Sequence, residues 1–301
     1  MPYAVFTKLY DSTVWPVISY GASVWGTQTY SCINAVQLRA MRFVLGVGRY
    51  TPNNAVYGEL AWQPPVVKQW KTVAQHWHRI SIMDNDRINH KIFAYCNTKS
   101  NSGCKNLEFR VRKHMNDINL SDMLVNCNTT SSKYFCDRVV TCSMQRFIVS
   151  WKEAINCDSG PSGRGRNKLR TYKMFKHDFV PEKYVSAFIP AKHKAAFAKF
   201  RCGVAPLKLE TGRYENIPEN LRLCPFCRNS VENEIHVLFH CNAYQSFQTD
   251  LCTKACEVNS NYNNLGNEEK IVFVLSDEAM IKISAKTCYM ILKTRNNMLY
   301  S

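Results

Sequence analysis

Apolar positions recur at helical spacing along most of the chain. After Pro64-Pro65, the residues Val66, Trp70, Val73, Ala74, Trp77 and Ile80 fall at i, i+4, i+7, i+8, i+11 and i+14, the stripe of an amphipathic helix. Such a stripe predicts two indoles buried against neighbouring helices rather than a base-stacking surface. Upstream, Ser31 can cap a helix carrying Ile33, Val36, Ala40, Phe43 and Val44, with Gly46 and Gly48 as its stop. A further helix is expected from about Asp86 through Ile88 and Ile92 toward Tyr95. Between Asn97 and Ser132 the pattern weakens, and residues 126–132 read as a loop. Helical spacing resumes with Tyr134, Phe135, Val139, Cys142, Phe147 and Trp151. Residues 192–200 predict a basic helix ending at Gly203 and Pro206, and a terminal helix is expected from about Asp277, with Ile281, Ala285, Cys288, Tyr289 and Leu292 on one side. No long segment alternates with a period of two. The expected fold is mostly α: a helical N-terminal region, then a basic helical domain with a small metal knuckle.

Domain organisation follows from the breakers. Residues 158–168 (Asp-Ser-Gly-Pro-Ser-Gly-Arg-Gly-Arg-Asn-Lys) cannot sit inside a helix or strand, which predicts a helical region over 1–157, a linker over 158–168 and a second region over 169–301. The uncharged stretch from Ser12 to Leu38 is interrupted by Pro16, Gly21 and Gly26 and carries several polar residues. A spanning helix needs about 20 predominantly apolar residues, so no membrane segment is expected. The 14 cysteines are scattered over a 301-residue chain, unlike the dense framework of a small secreted scaffold. Reduced thiols in an intracellular setting, nucleus or cytoplasm, are the expectation, some of them holding metal.

Four of these residues form a pattern. Cys224-Pro-Phe-Cys227 is followed by His236 and then by Cys241. Two thiolates separated by two residues reach one ion, and a His and a Cys further on can close the tetrahedron that structural zinc prefers. His236 and His240 share a helical face, so spacing alone leaves Cys2His2 coordination through His240 open. Cys241 requires the helix to end or distort at that point. Glu232 and Glu234 lie close enough to raise the question of metal-assisted hydrolysis. The His-x-Glu and Pro-Cys-x-x-Cys order of the zinc deaminases is absent, however, and a closed four-ligand Zn2+ site of structural type is expected.

Charge adds a partner. The formal net charge is +16. Residues 160–223 hold fourteen Lys and Arg against five carboxylates, so more than half of the excess lies just before the knuckle. Phosphate backbones attract such clusters. Lys192, Lys194, Lys199, Arg201 and Arg213 are the candidate contacts to RNA or DNA. No catalytic set accompanies them: the chain has no Asp-Asp pair, no phosphate-binding Gly-x-x-x-x-Gly-Lys loop, no Gly-x-Ser-x-Gly elbow and no His-Glu-x-x-His helix.

The segment Leu9-Tyr-Asp-Ser-Thr-Val-Trp-Pro-Val-Ile-Ser-Tyr-Gly-Ala-Ser-Val-Trp-Gly26 resembles the stretch just after the polymerase palm in LINE-like, non-LTR retrotransposon reverse transcriptases, and residues 35–46 are similar to the helix that follows it. Phe200-Arg-Cys-Gly-Val-Ala-Pro206, Glu210-Thr-Gly-Arg213 and the knuckle resemble that family's C-terminal Cys-Cys-His-Cys zinc segment. The resemblance implies Cys224, Cys227, His236 and Cys241 as the ligands. It also implies a thumb-side and C-terminal fragment that grips nucleic acid, with palm and endonuclease expected ahead of Met1. Polymerase activity does not carry over, since no residue matches the catalytic carboxylates. The competing expectation is a zinc-stapled structural or protein-interaction module derived from a retroelement.

Overall fold

The computed structural model describes residues 2–157 and 167–300; residues 158–166 of the expected linker, with Arg164 and Arg166, lie outside them. The fold is mostly α. Among the described residues ten helices have eight or more residues: α1 (Ser31–Leu45), α2 (Asn53–Leu60), α3 (Pro65–Ser81), α4 (Ile88–Asn101), α5 (Leu107–Asp117), α6 (Ser132–Cys157), α7 (Ala191–Arg201), α8 (Gln245–Val258), α9 (Asn267–Ser276) and α10 (Ile281–Tyr300). The one β interaction among the described residues is an isolated antiparallel bridge between Leu223 and Val231. No helix of the described residues is long and apolar enough to cross a membrane.

The chain divides into two compact units. One comprises Met1–Ala4, Leu38–Ala61 and Lys152–Ser301; the other comprises Val5–Gln37 and Trp62–Trp151. These bounds differ from a simple division at the expected linker, because residues 38–61 pack with the C-terminal part of the chain.

In the unit built on residues 62–151, α3 supplies Trp70, Val73, Ala74 and Trp77 to a core completed by Val111, Met115, Phe135 and Val139. Both indoles are buried, as the stripe predicts. Trp77 stacks on Phe135 at 5.6 Å, and its Nε1 donates to Glu108 Oε2 at 2.6 Å, so a buried carboxylate satisfies the one polar atom of the ring. Arg112 Nε donates to the other Glu108 oxygen at 2.8 Å.

The second unit is organised around a buried ion-pair cluster. Arg201, at the end of α7, is 1% exposed. Its Nε and Nη2 donate to the two Glu59 oxygens at 2.8 and 2.9 Å, Nη2 also meets Glu182 Oε2 at 2.7 Å, and Nη1 donates to the Leu275 carbonyl. Lys176 pairs with the same Glu182, so two cations face two carboxylates. The guanidinium also lies over Phe175, at 4.5 Å from the ring centroid. Burial opposes its charge, but Glu59 and Glu182 together hold it protonated well above the ordinary range. Two glycines set the approach to α7. Gly46 has φ +66°, and a Cβ there would lie 2.5 Å from Ala195 Cβ; Gly203 has φ +63°, and a Cβ there would lie 1.9 Å from the Lys168 carbonyl oxygen.

Removing one partner of this pair leaves an uncompensated buried charge. Arg201→Met is expected to lower the unfolding free energy by about 3–5 kcal/mol, measured by denaturant titration. A loss below about 1 kcal/mol would mean that the cluster does not hold the unit together.

Candidate metal centre

The knuckle is a short hairpin. The Leu223–Val231 bridge aligns its arms, Cys224 N donates to Ser230 O at 2.8 Å, and Arg228 N closes a turn onto Cys224 O at 2.9 Å. Arg228 takes φ +57° to complete that turn. Five backbone amides point at sulfur: those of Phe226 and Cys227 at Cys224, those of Asn229 and Ser230 at Cys227, and that of Ala243 at Cys241. Amide donors arranged in this way stabilise thiolates.

The other two ligands come from a π turn over His236–His240, whose first amide is held by Asn233 Oδ1 at 2.8 Å. The helix stops there. Cys241 leaves it in an extended conformation (φ −78°, ψ 117°), its amide bonded to His236 O. This is the distortion that the Cys241 alternative requires, and π turns are frequent at functional sites. The donor atoms of Cys224, Cys227, His236 and Cys241 all lie within 4.8 Å of one another, and the four can hold a metal ion. Cys224 Sγ and Cys241 Sγ are 3.7 Å apart, and Cys227 Sγ is 3.3 Å from His236 Nε2. A tetrahedron with metal–sulfur bonds of about 2.3 Å has a sulfur–sulfur edge of about 3.8 Å. His240 is exposed and outside the group.

Burial pushes the Cys224 thiol up and the Cys241 thiol up to about 12. Burial also raises Cys227, but the amides of Asn229 and Ser230 and the neighbouring thiols outweigh it and bring that group down. Burial and the adjacent His240 keep the His236 imidazole below its ordinary value, in the neutral form that ligates. A bound cation would compensate three thiolates, two of them buried and Cys227 half-buried, so ion binding would expel protons.

Glu232 and Glu234 serve the scaffold. Glu232 is fully buried and bidentate to Arg295 of α10, at 2.8 and 2.9 Å, and it also accepts from the Lys208 amide. Glu234 receives Arg170 Nη2 at 2.6 Å, and the same guanidinium reaches Glu210 at 3.0 Å. From α8, Gln248 Nε2 donates to the carbonyls of Val237 and Cys241, both at 3.1 Å. Both carboxylates are engaged by arginines, and all four candidate ligands come from protein.

The five expected phosphate contacts are distributed unevenly. Lys192 is exposed and lies over Tyr289 at 4.8 Å. Lys199 is half-buried with no acidic partner among the described residues. Lys194 donates to the Val185 carbonyl. Arg213 is half-buried and bonds Glu210 at 3.1 Å. Arg201 is the correction: enclosed by two carboxylates, a carbonyl and an aromatic ring, it presents no donor to a phosphate. The structure adds cations that the sequence reading passed over. Lys282, Lys286 and Lys293 are exposed on α10, which packs on α7, and their i, i+4, i+11 spacing sets them on one side of it.

No protein-family model, curated protein or solved structure matches the chain.

Reduced protein is expected to retain one metal ion per chain through gel filtration, measured by elemental analysis. Cys241→Ser should abolish retention and His240→Ala should leave it intact. The opposite pattern would assign the fourth position to His240.

Proposed function

We propose that the chain is a nucleic-acid-binding module whose C-terminal unit is stapled by one structural zinc ion. The observation that carries this reading is the pairing of α7 with α10. The two helices hold eight Lys and Arg and no Asp or Glu, and they pack on one another. Arg201 and Arg295 are consumed by buried carboxylates. Lys192, Lys282, Lys286 and Lys293 remain exposed, with no acidic partner among the described residues. Tyr289 lies among them: its ring meets His193 at 4.9 Å with the planes tilted 33°, and the His193 imidazole is pushed below its ordinary value by burial and by Lys192 and Lys286. Unpaired ammonium groups around an accessible aromatic ring suit a phosphate backbone with its bases.

Zinc fits the donor set of three thiolates and one imidazole. The role is structural, because the knuckle sits on α10 through Glu232–Arg295 and offers no open position. The resemblance to the C-terminal part of LINE-like reverse transcriptases supports the same reading and rests on the quoted motifs alone. Within it, the module grips RNA or DNA phosphates and contributes no chemistry of its own, and its reduced thiols suit the nucleus or cytoplasm. One observation favours the competing reading of a zinc-stapled structural or protein-interaction module: Lys194, Arg201 and Arg213 are engaged inside the protein.

Affinity for a single-stranded oligonucleotide, followed by fluorescence anisotropy, is expected to fall about 300-fold between 50 and 200 mM salt if about six phosphates are contacted. Lys192→Glu with Lys286→Glu should reduce both the affinity and the salt slope, with unchanged helix content. Equal binding by the double variant, or a flat salt response, would favour the protein-interaction reading.

A further inference from the structure

The unit built on residues 62–151 contains a cleft of about 610 Å³. It owes its shape to two helices that each bury one side and offer the other. From α5, Val111 and Met115 enter the core while Phe109, Arg110, Lys113 and His114 line the cleft. From α6, Phe135 and Val139 enter the core, and Arg146 and Phe147 line the cleft one to two turns later. Lys105 completes the rim. The floor is a stacked pair: the His114 imidazole lies flat on Trp70, with centroids 3.7 Å apart and planes 4° from parallel. His114 is fixed by a 2.9 Å contact between Nε2 and Ser143 Oγ. Burial, with Arg146 adding to it, pushes this imidazole down to about 4, so it is neutral near pH 7.

The charge lining the cleft is unbalanced. The one carboxylate among the described lining residues, Asp117, is taken by Arg146 at 3.1 Å. Lys105, Arg110 and Lys113 have no acidic partner among the described residues. Arg110 meets only neutral groups across the cleft, Thr27 Oγ1 at 3.4 Å and the Gln28 carboxamide. Three uncompensated cations beside Phe109 and Phe147 form a pocket with one anionic and one aromatic requirement. A bare phosphate would make no use of the rings, and an uncharged aromatic would leave the cations unmatched.

We infer that this cleft binds a nucleoside phosphate, with the base against Phe109 and Phe147 and the phosphate held by Lys105, Arg110 and Lys113. The ligand can be a free nucleotide or one nucleotide of a single strand, since both present the same base and phosphate. The inference uses no residue of α7, α10 or the metal knuckle, so it stands or falls separately from the proposed function.

The test is calorimetric titration of the full chain with adenosine 5′-monophosphate, adenosine, inorganic phosphate and a short oligoadenylate, each also monitored by tryptophan fluorescence. Adenosine monophosphate should bind at least tenfold more tightly than either half alone. Lys113→Glu, at an exposed position, should weaken it at least tenfold. Phe147→Ala should weaken it at least about fivefold, the low end for loss of one stacking ring. Lys286→Glu should leave it unchanged. If only the oligonucleotide binds, and Lys113→Glu still weakens it tenfold while Lys286→Glu does not, the cleft takes a nucleotide within a strand. Phosphate binding as well as the nucleotide, insensitivity to Lys113→Glu at unchanged helix content, or no binding of either nucleotide form would overturn the inference.

Discussion

A guanidinium cannot be buried alone, and the C-terminal unit is arranged around that constraint. Arg201 has almost no exposed surface, yet its donors meet Glu59, Glu182 and the Leu275 carbonyl. Those partners come from α2, from the segment before α7 and from the end of α9. One side chain therefore joins segments far apart in sequence, and each can dock only if the others already supply the opposite charge. Burial of this kind adds little net stability over an apolar core, but it penalises any arrangement that leaves a charge unmatched. It bears on why residues 38–61 pack with the C-terminal part of the chain: the buried Glu59 carboxylate meets its counter-charge in Arg201.

The same logic attaches the metal knuckle. Hairpins of this size have no core of their own and depend on an ion for their shape. Here the hairpin is also tied to helices by two carboxylates just before His236. Glu232 reaches Arg295 of α10, and Glu234 reaches Arg170, which also holds Glu210. The ion and the ion pairs fix different things. An ion held there would fix the separation of the four ligands, and the carboxylates set the knuckle against α10. α10 also carries Lys282, Lys286 and Lys293, so the staple bears directly on where those charges stand.

Much of this was legible in the sequence because the signals are periodic or local. The stripe from Val66 to Ile80 names its own buried face, and the Cys-x-x-Cys spacing with a downstream His and Cys leads to the four residues that converge. What stayed hidden is what spacing does not encode. α5 reads as a weak, polar stretch because Val111 and Met115 are its only fully buried apolar residues, and its third buried residue, Glu108, is an acid bonded to the Trp77 indole. Arg201 sits in a run of lysines and looks solvated until Glu59, 142 positions away, is seen against it. Glu232 and Glu234 look like candidate bases for the same reason. The choice between His240 and Cys241 turned on a π turn, a backbone event with no residue signature here.

These hidden pairings also change what the +16 charge means. Counted along the chain, the excess gathers over residues 160–223. Counted by exposure, much of it is neutralised where it stands: Arg170, Lys176, Arg201 and Arg213 lie against carboxylates. The field that a polyanion would meet comes from cations without partners, and these include residues outside that stretch, on α5 and on α10. A basic segment in a sequence is thus a poor guide to a basic surface. Arginine, with its planar fork of donors, is recruited inward by carboxylates, while lysine, with a compact hydrated head, is left on the surface. On α7 and α10 the division is strict: both arginines are buried and paired, and every exposed cation is a lysine.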